Sequence, residues 1–300
     1  MKINVGIVGY GKLGIAIKKL VSLDSNFCLV KIFSRRNIKG CENIKNIYKY
    51  ENKIDLLFLC VGSQTDLNKT AFRLVTNFNF IDVYDNHNML QGYICSLNKK
   101  CKENKKVCFS ALGWDPGILS LIRGLYFALG LNYITLWGKG VSQGHTNAIK
   151  NIQGVIDAIQ FTIPIKKKIK VFKQTGSVQN NTLHLRMCYV VARKNVRTSI
   201  KQQIVNMEHY FKGNKTKVKF VSIKQLKRLK TDCHKGEIIT QNNVANFSLD
   251  LQSNPDFTAK IMLVYAKVMI EFIKNKKFGA YTILDIPLSN LVKNNKYNIL

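Results

Sequence analysis

No uninterrupted apolar run of about 18 residues, the length a membrane-crossing helix needs, occurs in the 300-residue chain. The best candidate, Phe257 to Ile273, is broken by Lys260, Lys267 and Glu271. The first apolar run, at Ile3, leads straight into a glycine-rich loop and not into a cleavable leader, so a cytoplasmic protein is expected. None of the eight cysteines (Cys28, Cys41, Cys60, Cys95, Cys101, Cys108, Cys188, Cys233) stands in a CxxC pair. This argues against a zinc ribbon or a thioredoxin-like motif; reduced, half-buried thiols and no metal site are expected. Internal repeats and long linkers are absent. Acid is scarce, with 17 Asp and Glu against 47 Lys and Arg, a formal net charge of +30. Such a balance first suggests nucleic acid. Yet the lysines are spread along the chain, and the denser runs, Lys166 to Lys170 and Lys215 to Lys230, alternate with apolar residues and carry few aromatics for base stacking. The expected partner is a small anionic metabolite, with neither nucleic acid nor membrane.

What is present points to a nucleotide fold. With 46% hydrophobic residues, the chain can bury two cores. The apolar run from Ile3 to Val8 breaks into Gly9-Tyr10-Gly11-Lys12-Leu13-Gly14, after which Leu13, Ala16, Ile17 and Leu20 fall on one helical face. This reads as strand, phosphate loop and helix. Gly9 makes the turn, Gly11 admits a pyrophosphate, Gly14 allows close helix packing, and the helix N-terminus supplies free N–H groups. An ordinary glycine turn is the competing account. The next strand, Phe27 to Phe33, ends in Ser34-Arg35-Arg36, where an acidic residue about 20 positions past the glycines would select NAD. A hydroxyl and two guanidiniums suit a 2′-phosphate instead, which makes the expected cofactor NADP.

Asp55 to Gly62 reads as a strand buried on both faces, whose exit through Cys60, Val61, Gly62 and Ser63 faces the cofactor. Thr65 or Asp66 is expected to cap the following helix. Strands Phe78 to Val83 and Lys106 to Leu112 deliver two polar clusters, Tyr84-Asp85-Asn86-His87 and Gly113-Trp114-Asp115-Pro116-Gly117. Asp85 suits either a substrate contact or a local turn. Asp115 as N-cap and Pro116 at the first helical position would start a helix from Ile118 to Leu129 but leave Trp114 unexplained. Tyr133 to Trp137 is extended, Gly138 to His145 is a glycine-spaced loop, and a helix is expected near Asn147 to Phe161. From Pro164 to about Gln252 the apolar period becomes two, as in a mixed sheet. Phe257, Ile261, Val264, Tyr265, Val268 and Phe272 then form one helix face that returns to the nucleotide domain.

In order and spacing, Gly9 to Gly14, Phe33-Ser34-Arg35-Arg36, Tyr84 to His87, Gly113 to Gly117, Trp137 to His145 and Asn254-Pro255-Asp256-Phe257-Thr258 resemble the meso-diaminopimelate D-dehydrogenases over essentially the whole chain. The expected fold is α/β: a Rossmann-type parallel sheet over 1–117, an α+β substrate-binding and dimerisation domain over 118–252, and a C-terminal helical segment over 253–300. The resemblance implies NADP-dependent, reversible oxidative deamination of the D-centre of meso-2,6-diaminopimelate to L-2-amino-6-oxopimelate and ammonia, on a route to lysine and peptidoglycan, by a homodimer. Carried over, Asp85, Trp114, Asp115 and Trp137 surround the D-centre, with Asp85 or Asp115 assisting proton transfer and the general base left open. Gln143 and Gly144 lie in the adjoining loop, and Thr162, Arg186, His234 and Asn254 hold the distal L-centre, Arg186 and His234 on its carboxylate. Two departures stand out: the segment from His234 to Asn254 is several residues shorter than the family pattern, and Lys12 replaces a frequent Asn. Dihydrodipicolinate reductases and homoserine dehydrogenases share the first motif but not the tryptophan loops. From a different class, a non-catalytic NADP- or nucleic-acid-binding protein could keep the fold.

Overall fold

The computed structural model of the chain describes residues 2–208, 210–229, 231 and 233–292. They divide into two compact units, one from the start to residue 121 and again from 255 onward, the other from 122 to 254. The first unit opens with β1 (Ile3–Val8), α1 (Lys12–Leu23), β2 (Phe27–Ser34), β3 (Glu42–Asn43), β4 (Leu56–Leu59), α2 (Asn68–Leu74), β5 (Phe80–Asp82), α3 (Leu90–Glu103) and β6 (Val107–Phe109). Helix α4 (Ile118–Ala128) carries the chain across the division.

The second unit contains β7 (Tyr133–Trp137), β8 (Gly140–Val141), α5 (Gln143–Lys150), β9 (Val155–Pro164), α6 (Lys166–Thr175), β10 (His184–Ala192), α7 (Arg197–Val205), β11 (Lys215–Phe220), α8 (Ile223–Arg228), β12 (His234–Thr240) and β13 (Asn246–Leu251). Helix α9 (Asn254–Lys274) and β14 (Gly279–Tyr281) then rejoin the first unit.

The first unit is a seven-stranded parallel sheet in the order β14-β6-β5-β4-β1-β2-β3. Its central strands are apolar on both faces because both are covered. Along β4, Leu56 and Phe58 enter the core shared with Ala16 and Ile17 of α1 and Met262 and Phe272 of α9, whereas Leu57 and Leu59 enter the core shared with Ala71 of α2 and Leu97 of α3. One uninterrupted apolar run is thus read by two layers of helices. The strand order reverses beside β1 and β4, which puts their carboxyl ends at the ligand crevice of such sheets.

In the second unit a mixed sheet, β11-β10-β9-β8, and an antiparallel one, β13-β12-β7, replace the single mixed sheet expected from the sequence. The helix expected over Asn147 to Phe161 is also corrected. Helix α5 already ends at Lys150, Gly154 turns the chain with φ +91°, and β9 follows, its Val155, Ile156, Ile159 and Thr162 being β-branched residues that suit a strand.

Two capping expectations fail as well. Gly62 occupies the N-cap position after β4 without a side-chain bond, and the Asp66 carboxylate pairs with Arg35 instead. Helix α4 begins at Ile118, so Asp115 does not stand at its N-cap position either. The Asp115–Pro116 peptide is cis, and the Gly113 N–H donates to the Pro116 carbonyl at 3.0 Å, closing a tight loop before α4. Cys28, Cys95 and Cys233, expected half-buried, are exposed, and Cys101, Cys108 and Cys188 are buried. Among the described residues no helix is long and apolar enough to cross a membrane, and no group of three or more His, Cys, Asp or Glu could hold a metal ion. Lys230 lies outside the described residues.

Candidate active site

At the carboxyl end of β1 the chain turns so tightly that no side chain fits at Gly9 or Gly14. A Cβ at Gly9, whose φ is +98°, would stand 2.6 Å from the Cys60 carbonyl oxygen, and one at Gly14 would stand 2.1 Å from the Gly9 carbonyl oxygen. Strand and helix therefore approach to backbone contact. Helix α1 starts at Gly11 with no side-chain cap and no acidic residue in its first turn, which leaves its N–H groups and positive dipole end available to an anion.

The cavity formed there measures about 420 Å³. Gly9, Tyr10, Gly11, Ser34, Arg35, Arg36, Cys60, Val61 and Gly62 line it, as the sequence predicts. Lys12, Leu13, Gly14 and Ser63 do not: Leu13 packs on the core, Gly14 backs the turn, and the Ser63 hydroxyl donates to the Val83 carbonyl at 3.2 Å. Sequence reasoning missed Asp66 as well as Lys69, Thr70 and Arg73 of α2, although positions 69 and 73 share a helical face and the spacing could have shown it. Arg35 grips Asp66 with both guanidinium nitrogens, at 2.8 and 2.6 Å. The Ser34 hydroxyl accepts from the Arg36 N–H at 3.0 Å, fixing the turn that presents both arginines. The uncapped helix start, the glycine turn and this cationic corner fit a dinucleotide with a 2′-phosphate.

Next along the same sheet edge, the exits of β5 and β6 are joined through one carboxylate. Asp82, fully buried, accepts from the Tyr84 N–H at 3.0 Å, the Ala111 N–H at 3.2 Å, the Ser110 hydroxyl at 2.5 Å and the Tyr93 hydroxyl of α3 at 2.7 Å. Burial raises its pKa, and the four donors pull it back. Tyr84 stacks flat on Tyr93, with ring centroids 4.0 Å apart. Asp85 follows Tyr84 and keeps access to solvent; desolvation by the surrounding protein nevertheless raises its carboxyl pKa, against the Ser63 hydroxyl. Trp114 is half-buried and Asp115 buried, both in the loop closed between Gly113 and Gly117.

The second unit carries a polar cluster of its own. Arg186 of β10 lies opposite Thr162 of β9 and donates to its hydroxyl at 2.8 Å. The Arg186 Nε and the Gln160 Oε1 are buried without hydrogen-bond partners, and no acidic side chain pairs with Arg186 among the described residues. Desolvation lowers the Arg186 pKa. The His184 Nε2 accepts the Trp137 N–H at 3.0 Å, with the two rings 5.4 Å apart. The Ser142 hydroxyl lies 2.8 Å from His145 Nδ1, and His145 Nε2 lies 3.1 Å from the Tyr210 carbonyl oxygen, so Nε2 carries the proton and Nδ1 accepts. Burial, reinforced by the Arg186 charge, pushes His184 down to about 4 and His145 down to about 3. Both rings are therefore neutral, and Arg186 holds the cluster's positive charge.

A family model described as the diaminopimelic acid dehydrogenase C-terminal domain matches residues 113–254. The meso-diaminopimelate D-dehydrogenase of Acetivibrio thermocellus is 38% identical, over 95% of this chain and 93% of its own. The chain belongs to the meso-diaminopimelate D-dehydrogenase family. Among solved structures, the Corynebacterium glutamicum diaminopimelate dehydrogenase in complex with diaminopimelate superposes with a TM-score of 0.91, at 31% identity, over 99% of this chain and 98% of that one. An engineered D-amino acid dehydrogenase bound to NADP⁺ gives 0.89, at 29% identity, over 100% and 98%.

The second unit brings Trp137 and Arg186 together at His184, with Thr162 opposite Arg186. His234 opens β12 with its Cα 3.4 Å from where a Cβ on Gly140 would stand, beside the strand pair Gly140–Thr162. Gln143 and Gly144 form the first turn of α5, where the Gln143 amide donates to Asn147 at 3.0 Å. Asn254 starts α9 at the division between units. His184, His145 and Gln160 escaped sequence reasoning. His184 stands beside Arg186 because residues two apart on β10 share a face, a signal the alternating sequence carried, whereas only the register between β9 and β10 brings Gln160 there.

Proposed function

We propose that this chain binds NADP in the groove at Gly9 to Gly14, Ser34 to Arg36 and Cys60 to Gly62, and catalyses the reversible oxidative deamination of the D-centre of meso-2,6-diaminopimelate to L-2-amino-6-oxopimelate and ammonia. Arg186 is the observation that carries this beyond family membership: a half-buried guanidinium whose Nε is fully buried and unpaired, with no acidic partner among the described residues, calls for an anion, and Thr162 beside it offers a hydroxyl. A carboxylate of the distal L-centre meets that demand, with His234 and Asn254 as further contacts. Asp85, Trp114, Asp115 and Trp137 surround the D-centre, and Gln143 and Gly144 adjoin it. An ammonium needs carboxylate acceptors, which Asp85 and Asp115 supply, and the indoles of Trp114 and Trp137 exclude water from the reacting carbon. Bound NADP⁺ supplies a hydride acceptor. Fixing both ends of a long, nearly symmetrical substrate is what selects one of its two centres. Homodimeric assembly and a cytoplasmic location belong to the same proposal, as does the absence of nucleic-acid binding.

Purified protein with meso-diaminopimelate and NADP⁺ is expected to produce reduced nicotinamide, whereas NAD⁺ or the L,L and D,D isomers give little. Reduction with every amino acid except diaminopimelate, or none at all while NADP is bound, would remove the reading.

A further inference from the structure

The buried carboxylate of Asp82 plays no part in the groove or in the substrate contacts above. It ends β5 with 0% exposure, and no cation pairs with it among the described residues. Two of its four donors are backbone groups from separate segments. Tyr84 immediately precedes Asp85, and Ala111 lies three positions before Trp114. Ala111 has φ +57°, a left-handed conformation that an L-residue adopts only against a steric cost. Its N–H reaches inward to Asp82, and the Leu112 N–H bonds to the Asp82 carbonyl at 3.2 Å, so the chain leaves β6 in the direction of the tryptophan loop. From the other side, Tyr93 of α3 braces the carboxylate and stacks on Tyr84.

We infer that Asp82 is a positioning residue for the reaction: by binding the N–H groups of Tyr84 and Ala111 through one oxygen, it holds Asp85 and the Trp114–Asp115 loop in a single frame. This rests on the proposed placement of those residues at the D-centre. A carboxylate suits the task because one Oδ can accept from several donors, and burial in a low-dielectric interior strengthens those bonds. A hub that only stabilised the sheet would need no such reach into both loops.

Asp82→Asn separates these roles. It retains a carbonyl oxygen for the two N–H groups and offers its NH₂ to the Tyr93 oxygen, whereas Asp82→Ala strands both N–H groups. In the full chain, Asp82→Ala is expected to lower kcat on meso-diaminopimelate on the order of 10²-fold, as misplacement by about an ångström does, while leaving calorimetric affinity for 2′,5′-ADP unchanged. Asp82→Asn restores most of kcat. Amide exchange at Tyr84 and Ala111 accelerates with Ala and not with Asn. Asp82→Ser, too short to reach both groups, is read the same way if the Ala variant fails to fold. Wild-type kcat in the Ala variant, or equal loss of thermal stability, 2′,5′-ADP affinity and turnover in the Ala and Asn variants, overturns the inference. Asp85→Asn, assayed alongside, keeps the two readings apart. If it abolishes turnover while Asp82→Ala does not, the site stands and the inference falls. If it leaves turnover intact, the placement of Asp85 falls, and amide exchange alone decides whether Asp82 ties the two segments.

Discussion

Arg186 is a half-buried charge with a buried, unpaired Nε, an arrangement that costs stability in the folded chain. Its replacement separates stability from function. Arg186→Leu is expected to raise the thermal midpoint, since it removes an uncompensated charge, and to raise KM for diaminopimelate on the order of 10- to 100-fold, the equivalent of about 1.5–3 kcal/mol for a charged hydrogen bond. Binding of 2′,5′-ADP stays as it was. The two histidines near Arg186 set a pH dependence of known sign. From about 6.5 downward the unfolded chain takes up protons on both rings, while the folded chain resists to about 4 at His184 and about 3 at His145. Stability is therefore full above this window and declines as pH falls through it. Urea midpoints measured across it should fall less steeply in His184→Gln, whose amide oxygen can still accept the Trp137 N–H.

Among elements, the turn from β1 into α1 has the least tolerance. Gly14→Ala places a methyl 2.1 Å from the Gly9 carbonyl oxygen, with only backbone to give way. The expected cost is at least about 1–3 kcal/mol in urea unfolding, together with weakened NADP binding, because α1 must move off the strand whose turn it completes. This element was legible in the sequence since its determinants are local: glycine spacing, an apolar run, and a helical period restarting at Leu13. The β4 run was legible for the same reason. What escaped was decided at a distance. Nothing near Asp66 announces Arg35 as its partner. Gly113 to Gly117 reads as a capped helix start, and only the hydrogen bond from Gly113 to Pro116 shows a closed loop. The β9 segment lost its identity because the helix was extrapolated past Gly154, a break that β-branched Val155 and Ile156 confirm. Arg186 and Thr162 were named by resemblance, whereas their meeting is a matter of register between β9 and β10.

For the whole molecule, a net charge of +30 acts at longer range than any one arginine. It raises the local concentration of anionic metabolites and is screened within about 8 Å at physiological salt. Raising ionic strength is thus expected to weaken 2′,5′-ADP binding several-fold in calorimetry, more than it weakens binding of adenosine, which carries no charge. The division into units has a consequence of another kind. Strand β14 pairs with β6, and α9 covers the core over β1 and β4, yet the complete second unit is encoded between these partners. During synthesis the second unit emerges as one continuous piece while the nucleotide-binding sheet still lacks its β14 edge and the α9 part of its apolar cover. The sheet begun first is the one completed last, and the apolar surface awaiting α9 is exposed to non-native association in the interval.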